Sequence, residues 1–405
     1  MVLTLTLLPA LLLAFRATAA GPVLVRDNFV GLPLSRRVNF TGTASVLQRD
    51  LARVQALKSG GASSSDVTSV PVTNQAVSYI ASVGVGSPAT TYNLLVDTGS
   101  SNTWVGADQA YVETSTSAST GDSVAVSYGS GSFSGAEFTD TVTLAPGLVI
   151  TKQSIGVASQ STGFDGVDGI LGIGPTDLTE GTLSESQSTT IPTVTDNLFS
   201  AGSIPSDLIG ISFEPATSDD DENGSIAFGG TDSTKFTGSI AFTPITTTSP
   251  ASEFWGIDQS IAYGGTTILA STAGIVDTGT TLVLIATDAF TQYQTATGAT
   301  ADETTGLLTV TASQFAALQN LDFVIGGVTY SLTPNAQIWP RALNSAIGGN
   351  SNSIYLVVSD LGSPSGEGLD FINGFAFLER FYSVFDTGNQ QVGFATTPFT
   401  TATTN

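Results

Sequence analysis

Short apolar runs rich in Val, Ile, Phe and Thr recur along most of the chain, and turn-forming residues interrupt them every few positions. Such runs between turn formers are typical of β-strands. Segments with a helical period are scarce, and the clearest runs from Ala44 to Lys58. The pattern therefore predicts an all-β protein preceded by a helical segment, and 405 residues allow two lobes plus a leader.

The ends of the chain are typical of a secreted protein. Residues 1–20 combine a leucine-rich apolar stretch with Ala17-Thr18-Ala19, a small-x-small site of the kind that signal peptidase cleaves. The stretch is short for a membrane span, and the polar residues 400–405 contain no lipid-anchor tail. We therefore predict a signal peptide over 1–20 and a secreted, extracellular protein.

Residues 21–68 differ from the rest of the chain in being basic. Seven of the 11 Lys and Arg residues precede residue 60, whereas the chain from 69 onward holds 4 basic and 31 acidic residues, a net charge of −27. Opposite charge predicts that 21–68 is a pro-segment that binds the acidic body as an intramolecular inhibitor; a disordered linker is the alternative. The acidic surface repels nucleic acid and anionic membranes, so neither is an expected partner.

A sequence repeat divides the acidic body into two halves. An apolar strand that ends in Asp-Thr-Gly and two hydroxyl residues occurs at 92–101 and again at 272–281, with its aspartates, Asp97 and Asp277, 180 residues apart. Each copy is followed later by an apolar pair, or a near equivalent, and a Gly, at 170–172 and 371–374. The repeat predicts two β-lobes, 69–213 and 214–405, which meet at a cleft.

Paired carboxylates are the chemistry that this repeat offers. The chain has no His and no Cys, which excludes Ser-His-Asp triads, Cys-His dyads and His-ligated zinc sites. Two facing Asp-Thr-Gly loops would bring Asp97 and Asp277 within hydrogen-bond reach, where like charges share one proton. One carboxylate then acts as base on a bound water while the protonated one polarises a carbonyl.

The chain also contains a third Asp-Thr-Gly, at Asp386. Only 19 residues follow it, too few for another lobe. It lies between two apolar runs at the C-terminal end, so we predict a hairpin turn with a structural role.

These motifs together resemble those of the pepsin-like aspartic proteases, over nearly all of residues 70–405. The segments that carry the resemblance are 96–105, 128–132, 168–172, 275–281 and 381–394. The resemblance implies an all-β, bilobal fold with Asp97 and Asp277 as the catalytic residues at the floor of a long cleft. It also implies that the hydroxyls of Ser100 and Thr280 hydrogen-bond the outer oxygens of these aspartates.

The same resemblance assigns the substrate-binding positions. A flap hairpin would close over the substrate, with an indole N–H placed to bond the Tyr128 hydroxyl, and glycine backbone groups would bind the peptide. The expected set is Gly99, Trp104, Tyr128, Gly129, Ser130, Ile170, Gly279 and Thr281. Judged from the residues alone, Trp104 and Ile170 are also compatible with simple core positions.

Two departures from the family pattern bear on specificity and on the second lobe. Ser130 stands where many fungal relatives have an Asp that helps to accept Lys before the cut. We therefore expect weak acceptance of Lys and a preference for large apolar residues on both sides of the scissile bond. Asn373-Gly374 replaces the Gly-Asp or Gly-Gly of many relatives, with no loss of chemistry expected.

Two further positions are singled out by residue type. Lys58, the only lysine before residue 69, is a candidate to plug the two aspartates in the precursor. Asn223 begins the sequon Asn223-Gly224-Ser225 and is the candidate glycosylation site of the mature chain.

The sequence thus predicts a monomeric aspartic endopeptidase, made as a zymogen, that hydrolyses polypeptides at acid pH without a cofactor or a metal. A catalytically dead binding protein of the same fold is one alternative, although both aspartates and the adjacent Gly-Ser and Gly-Thr pairs are intact. A glycosidase with two carboxylates is another, but that chemistry needs no duplicated Asp-Thr-Gly turns.

Overall fold

The structure is a computed structural model of the chain, and it describes residues 29–38, 45–59, 77–129, 131–215 and 223–405. The predicted signal peptide, 1–20, and the predicted flap residue Ser130 lie outside the described residues. Strands dominate the described part and helices are few, as the run pattern predicts.

The first half of the chain begins with two elements of the predicted pro-segment and continues into a set of strands. The elements are β1 (Val30–Val38), α1 (Val46–Lys58), β2 (Val77–Val85), β3 (Thr90–Asp97), β4 (Trp104–Val105), β5 (Ala118–Ser127), β6 (Ser132–Ala145), β7 (Leu148–Thr162), β8 (Gly169–Gly172), α2 (Val194–Ser200) and β9 (Leu208–Phe213). A 3₁₀ turn lies at Thr176–Thr179.

The second half is built mainly from shorter strands. Its elements are β10 (Gly224–Phe228), β11 (Thr237–Pro244), β12 (Gly256–Tyr263), β13 (Thr266–Val276), β14 (Val283–Ile285), α3 (Thr287–Thr297), β15 (Thr300–Ala301), β16 (Leu308–Val310), α4 (Ala312–Ala317), β17 (Leu321–Ile325), β18 (Val328–Leu332), β19 (Ile354–Tyr355), β20 (Val358–Asp360), β21 (Phe371–Asn373), α5 (Phe375–Leu378), β22 (Phe381–Asp386) and β23 (Gln391–Thr396). Further 3₁₀ turns lie at Ala251–Glu253, Asn335–Gln337 and Arg341–Ile347.

The helix near the N-terminus starts where its sequence offers a reciprocal cap. The Ser45 hydroxyl accepts the backbone N–H of Gln48, and the Gln48 side chain accepts the backbone N–H of Ser45. This capping box satisfies two donors that a helix start otherwise leaves open. Arg49 and Arg53 are one turn apart and therefore share a face of α1, and both are buried.

The described strands form three sheets. The largest has the order β11-β23-β22-β9-β10-β1-β2-β3-β8-β4-β7-β6-β5, the second β18-β17-β12-β13-β21-β14-β20, and the third β15-β16-β19. Strand β1 lies inside the first sheet, antiparallel to β10 on one side and to β2 on the other. The all-β, bilobal architecture predicted from the sequence is confirmed, and the predicted pro-segment contributes a strand to it.

The repeat seen in the sequence corresponds to one parallel strand pair in each lobe. Strand β3, which ends at Asp97, runs parallel to β8, and β13, which ends just before Asp277, runs parallel to β21. The last four residues of both β3 and β13 are buried. Each aspartate thus lies at the end of a buried strand. The strand beside it contains the apolar pair that occurs later in the same half of the sequence, at 170–172 or 371–374.

The chain contains no cysteine, so no disulfide stabilises it and its stability depends on apolar burial. One extended cluster of buried side chains includes residues of both halves, among them Leu94, Ile226, Phe323 and Trp339. No helix in the described ranges has the length and apolar content that crossing a membrane requires.

Candidate active site

The two aspartates of the repeat are fully buried and are anchored through their own backbones. Asp97 and Asp277 are both 0% exposed. The Asp97 carbonyl accepts the backbone N–H of Ile173 at 2.9 Å, and the Asp277 N–H donates to the Asn373 carbonyl at 3.2 Å. Each aspartate is therefore fixed by the segment whose strand runs parallel to its own.

The threonines of the two Asp-Thr-Gly loops tie the loops to each other. The Thr98 N–H donates to the Thr278 hydroxyl and the Thr278 N–H donates to the Thr98 hydroxyl, both at 3.0 Å. Each hydroxyl in turn donates to a carbonyl of the opposite strand, Thr98 to Val276 at 3.3 Å and Thr278 to Val96 at 3.0 Å. This symmetric set of four bonds brings the two loops face to face.

Each carboxylate is held by a backbone amide and a hydroxyl of its own loop. Asp97 accepts Gly99 N–H at 2.9 Å on Oδ1 and the Ser100 hydroxyl at 2.5 Å on Oδ2. Asp277 accepts the N–H of the following Gly at 3.0 Å and the Thr280 hydroxyl at 2.5 Å in the same way. The hydroxyls of Ser100 and Thr280 thus lie where the family resemblance places them.

The glycines of the two loops allow each carboxylate to approach the opposite loop. A Cβ on Gly99 would lie 2.7 Å from Asp277 Oδ1, and a Cβ on Gly279 would lie 2.6 Å from Asp97 Oδ1. Any larger residue would push the aspartates apart, which explains glycine at both positions.

A guanidinium from α1 lies directly on the carboxylate pair. Arg53 Nη2 is 2.5 Å from Asp97 Oδ1 and 2.9 Å from Asp277 Oδ1, and Arg53 Nε is 2.6 Å from Asp277 Oδ2. One nitrogen therefore bonds the inner oxygens of both aspartates, so these oxygens face the same small space. The Arg53 side chain is only 7% exposed.

The prediction that Lys58 plugs the aspartates is wrong, because Arg53 occupies that position. The Lys58 ammonium instead pairs with Glu367 at 2.8 Å and contacts the Ser363 hydroxyl, at the margin of the second lobe. The helix turns by about 100° per residue, so the five-residue offset from Arg53 to Lys58 places the two side chains on different faces of α1.

The rest of α1 is fitted to the same cleft. Arg49 donates to the Gly279 carbonyl at 3.3 Å, and the buried Asp50 carboxylate accepts the backbone N–H groups of Thr281, at 3.1 Å, and Leu282, at 2.8 Å. Side chains of Ala56 and Leu57 line a pocket beside the aspartates that retains only about 20 Å³ of free volume. The helix therefore fills the centre of the cleft.

The two aspartates differ in their proton affinity in this state. Burial raises the pKa of Asp97, and the nearby charge of Asp277 adds to this, outweighing the attraction of Arg53. Burial also acts to raise the pKa of Asp277, but the charge and hydrogen bonds of Arg53, together with the Thr280 hydroxyl, hold it below its ordinary value. The asymmetry follows from geometry, since Arg53 bonds both oxygens of Asp277 and one of Asp97.

The predicted flap and pocket side chains form one aromatic cluster beside the cleft. Trp104 stacks on Phe133 with ring centroids 4.2 Å apart, and both Trp104 and Tyr128 meet Phe164 edge-on. Ile170 is 1% exposed within the same cluster. The Trp104 N–H lies close enough to the Tyr128 hydroxyl to act against the rise that burial causes in the pKa of Tyr128, although within the described residues the two groups do not meet the geometry of a normal hydrogen bond.

The flap glycine lies against α1. A Cβ on Gly129 would collide with the Ala52 carbonyl, so the hairpin that carries Tyr128 packs closely on the helix backbone. Thr281, the last of the predicted substrate-binding residues, presents its N–H to Asp50. Of the positions assigned to substrate binding, Gly129, Gly279 and Thr281 thus contact α1 in this state.

Three other positions from the sequence lie outside the aspartate pair. Asp386 ends β22 and accepts the Asn389 N–H at 3.0 Å and the Gln391 side chain at 2.8 Å, so this third Asp-Thr-Gly is a hairpin turn, as predicted. Asn373 and Gln259 form a reciprocal pair of amide hydrogen bonds at 2.9 and 3.1 Å. The half-buried Asn223 side chain donates to the Glu214 carbonyl at 2.8 Å.

Within the described ranges, no group of three His, Cys, Asp or Glu side chains is arranged to hold a metal ion. The chemistry that the described site offers is that of two buried carboxyl groups sharing hydrogen-bond partners, with hydroxyls fixing their outer oxygens. Such a pair binds and orients a water molecule and transfers protons without a covalent intermediate.

Comparison with known proteins agrees with this geometry. Residues 78–397 match the family model of the eukaryotic aspartyl protease. Since this match covers most of the chain, the protein belongs to that family and is a pepsin-like aspartic endopeptidase.

The chain is 69% identical to polyporopepsin of Irpex lacteus over 338 residues, which are 83% of this chain and 99% of that protein. It is 30% identical to pepsin A of Sus scrofa over 78% of its length and 80% of the pig protein. The crystal structure of the aspartic proteinase from Irpex lacteus superposes with a TM-score of 0.81 at 60% identity, covering 93% of this chain and all of that one.

Proposed function

We propose that the chain is the precursor of a secreted acid endopeptidase in which Asp97 and Asp277 activate a water molecule. The observation that carries this proposal is that Arg53 Nη2 bonds the inner oxygens of both aspartates. Two carboxylates that share one cation in this way share one proton once the cation leaves. We further propose that the mature enzyme begins near residue 69, with lobes 69–213 and 214–405, and acts as a monomer, since one chain supplies both aspartates.

The mechanism follows from exchanging the Arg53 guanidinium for water and a peptide. A water molecule between the inner oxygens loses a proton to the ionised carboxylate as its oxygen attacks the scissile carbonyl carbon. The protonated carboxyl donates its proton to the carbonyl oxygen and so neutralises the developing charge. The tetrahedral intermediate then collapses: its nitrogen takes a proton from the pair, the C–N bond breaks, and one of its hydroxyls returns a proton to the pair as the carbonyl re-forms.

The hydroxyls of Ser100 and Thr280 have a positioning role in this scheme. Each bonds an outer oxygen at 2.5 Å, which keeps the inner oxygens directed at the water and helps to hold negative charge on the outer side. In the precursor, with Arg53 in place, Asp97 is the member that keeps a proton more readily, since its pKa is raised and that of Asp277 is lowered.

We propose extended polypeptides as substrates, with large apolar side chains next to the scissile bond. Support comes from the pocket beside the aspartates, which is walled by Val126, Tyr128 and Leu178 and receives Ala56 and Leu57 of α1. An apolar side chain of a substrate would take the place of these helix residues. Gly99 and Gly279 carbonyls and the Gly129 amide are the proposed backbone partners of the peptide.

The pro-segment is the proposed inhibitor of the enzyme. It supplies Arg53 to the aspartates, Asp50 to the amides of Thr281 and Leu282, and β1 to the central sheet. A peptide substrate cannot enter while α1 lies in the cleft. We propose that acid releases it, because protons compete with Arg53 for Asp277 and because the −27 charge of the body falls as its carboxylates are protonated.

The proposed activity is tested by incubating the secreted precursor at about pH 2–3, where loss of the Arg53–Asp277 pair is expected, and then adding casein at about pH 4. Casein cleavage that one equivalent of pepstatin blocks is expected, and a reducing-sugar assay is expected to remain blank. Tight pepstatin binding without casein cleavage would instead favour a dead binding protein that retains the fold. Casein cleavage that pepstatin leaves unaffected would contradict the assignment of the two aspartates.

Two carboxyl groups outside the cleft also support an acid working range. Burial raises the pKa of Glu137 to about 7, against the opposing effect of the Ser154 hydroxyl, which donates to Oε1 at 2.6 Å. Oε2 has no partner among the described residues. Burial, aided by the nearby Asp196, raises the pKa of the half-buried Asp207 to about 6. Both side chains are therefore best accommodated in the neutral form.

We predict that Glu137→Gln makes the protein more resistant to neutral pH. The folded-state pKa of Glu137 lies above its unfolded value of 4.5, so its contribution to stability is complete below about pH 4.5 and is lost as the pH rises through about 7. The loss is on the order of 3 kcal/mol. Glutamine keeps the acceptor for Ser154 and cannot ionise, so urea unfolding should show a smaller fall in stability from acid to pH 8.

The comparison is best made in proteins whose Asp97 is replaced by asparagine, so that self-digestion does not distort the unfolding curves. Glu185→Gln, at an exposed position of the same lobe, serves as the control and should follow the parent protein. Equal pH dependence in the Glu137→Gln and parent proteins would show that Glu137 does not limit stability.

A further inference from the structure

A second and larger cavity lies on the side of the molecule where residues of both halves meet. It has a volume of about 570 Å³ and is open to solvent. Its apolar lining consists of Leu178, Ile245, Phe254 and Trp255, of which the two aromatic residues are 1% and 3% exposed. We refer to this cavity as the lateral groove.

The lateral groove adjoins the pocket beside the aspartates. Leu178 lines both the groove and the small pocket beside the aspartates. The indole N–H of Trp255 donates to the Ile173 carbonyl at 3.2 Å, and the Ile173 N–H bonds the Asp97 carbonyl. The floor of the groove is thus two hydrogen bonds away from a catalytic aspartate.

The pro-segment leaves the lateral groove open. Residues of α1 line the pocket beside the aspartates, where about 20 Å³ remains free, whereas none of the described residues of α1 lines the groove. The groove is therefore a part of the surface next to the cleft that the described residues of α1 leave uncovered.

The rim of the lateral groove is negatively charged. Asp177, Glu180 and Glu253 are exposed lining residues, and none of the described lining residues is Lys or Arg. An apolar floor with carboxylates above it complements a segment that carries both apolar and basic side chains, because long basic side chains cover apolar surface with their stems while the charged ends reach the rim.

We propose that the lateral groove binds the distal part of the polypeptide substrate and selects segments with basic and apolar residues several positions from the scissile bond, on one side only. The inference rests on the proposed endopeptidase function and adds a charge preference to it. It concerns positions remote from the scissile bond, so it is independent of the apolar preference expected at the bond itself.

The test uses synthetic peptides that share one cleavable centre and differ in their extensions. One series carries a Leu-Lys extension, one a Leu-Gln extension and one a Leu-Glu extension, on either the N-terminal or the C-terminal side, and a peptide without an extension is the reference. The mature enzyme is assayed at about pH 5, where Asp and Glu in free peptides are ionised, at low and at high salt.

For the wild-type enzyme we expect the Leu-Lys extension on one side to raise kcat/KM about three- to tenfold over Leu-Gln, mainly through KM, with Leu-Glu below both. High salt should reduce this preference, since the charges are exposed. The variant Asp177→Asn/Glu180→Gln/Glu253→Gln should lose the preference while cleaving the peptide without an extension at the wild-type rate.

A matched control removes three exposed carboxylates that lie outside the groove lining, in Glu113→Gln/Glu185→Gln/Glu303→Gln. This variant has the same change in net charge and should keep the preference. A preference that persists in the groove variant, or one that disappears equally in the control, would overturn the inference. Failure to cleave the reference peptide would instead count against the endopeptidase function, so the two failures are distinguishable.

Discussion

The Asp97→Asn enzyme is expected to cleave casein about a thousandfold more slowly than wild type, or to show no detectable cleavage. Asparagine has the shape of aspartate: its oxygen can accept the Gly99 N–H while its NH2 group donates to the Ser100 hydroxyl oxygen, so the loop geometry is retained. It can neither take a proton from water nor donate one to the scissile carbonyl. The variant therefore isolates proton transfer from folding.

The measurement requires both proteins without their pro-segments. A recognition site for an unrelated serine protease, placed in the Gly-Ser-rich stretch 60–68, allows wild type and variant to be trimmed in the same way. Circular dichroism and thermal unfolding then show whether the fold is intact. Asp277→Asn should behave alike, because each aspartate performs one half of the proton transfer.

The chain contains its own control in the third Asp-Thr-Gly. The Asp386 carboxylate bonds Asn389 and Gln391 within its hairpin and lies outside the aspartate pair. Asp386→Asn should reduce stability by about 1 kcal/mol through weakened hydrogen bonds and leave kcat/KM unchanged. Full activity in Asp97→Asn, or equal loss in Asp386→Asn, would remove the basis for assigning catalysis to the repeat.

The sequence was sufficient to predict features that depend on local patterns. Alternation of short apolar runs and turn formers predicted the strands, and the repeated Asp-Thr-Gly predicted that Asp97 and Asp277 belong together. The structure adds the reason why the repeat works, since Thr98 and Thr278 bond each other across the two loops. The threonine of each Asp-Thr-Gly is visible in the sequence, but its role in joining the two loops depends on how the two copies pair in the fold.

The sequence does not predict which face of a helix docks on the cleft, or which residues far apart in the chain come into contact. The sequence distinguishes Lys58 as the only lysine before residue 69, but the docking of α1 determines which cation reaches the aspartates. The spacing of Arg49 and Arg53 by one helical turn was the available signal. Likewise, the Asn373 side chain is explained by Gln259, whose position 114 residues earlier gives no hint of contact.

The precursor with Arg53→Ala is expected to lose its pro-segment much faster than wild type at pH 6. Removing the guanidinium leaves the ionised part of a fully buried carboxylate pair without a counter-charge, and breaking a buried ion pair costs about 3 kcal/mol or more. Such a cost lowers the docking constant of α1 about a hundredfold. Pepstatin should therefore bind this precursor at a pH where the wild-type precursor excludes it.

The pH dependence of release has a defined sign. The pKa of Asp277 is lowered while Arg53 is bound, so the stabilisation by this pair is present above the ordinary pKa of an aspartate and is lost as the pH falls through the lowered value. Burial raises the pKa of Asp50 to about 6 and also raises that of Asp97, so these groups take up protons without releasing the helix. Release of the wild-type pro-segment should therefore require strong acid, and Arg53→Ala should abolish that requirement.

Lys58→Ala is the matched control on the same helix. Lys58 pairs with Glu367, which is 49% exposed, and solvent screens such a surface pair, so it contributes little to docking. Its loss should change the release rate by less than about fivefold. Pro-segment release is followed by gel electrophoresis and N-terminal sequencing, with pepstatin titration at each pH. A precursor with Arg53→Ala that matures no faster than Lys58→Ala, and that still excludes pepstatin at pH 6, would show that the contact between Arg53 and the aspartates does not hold the pro-segment in the cleft.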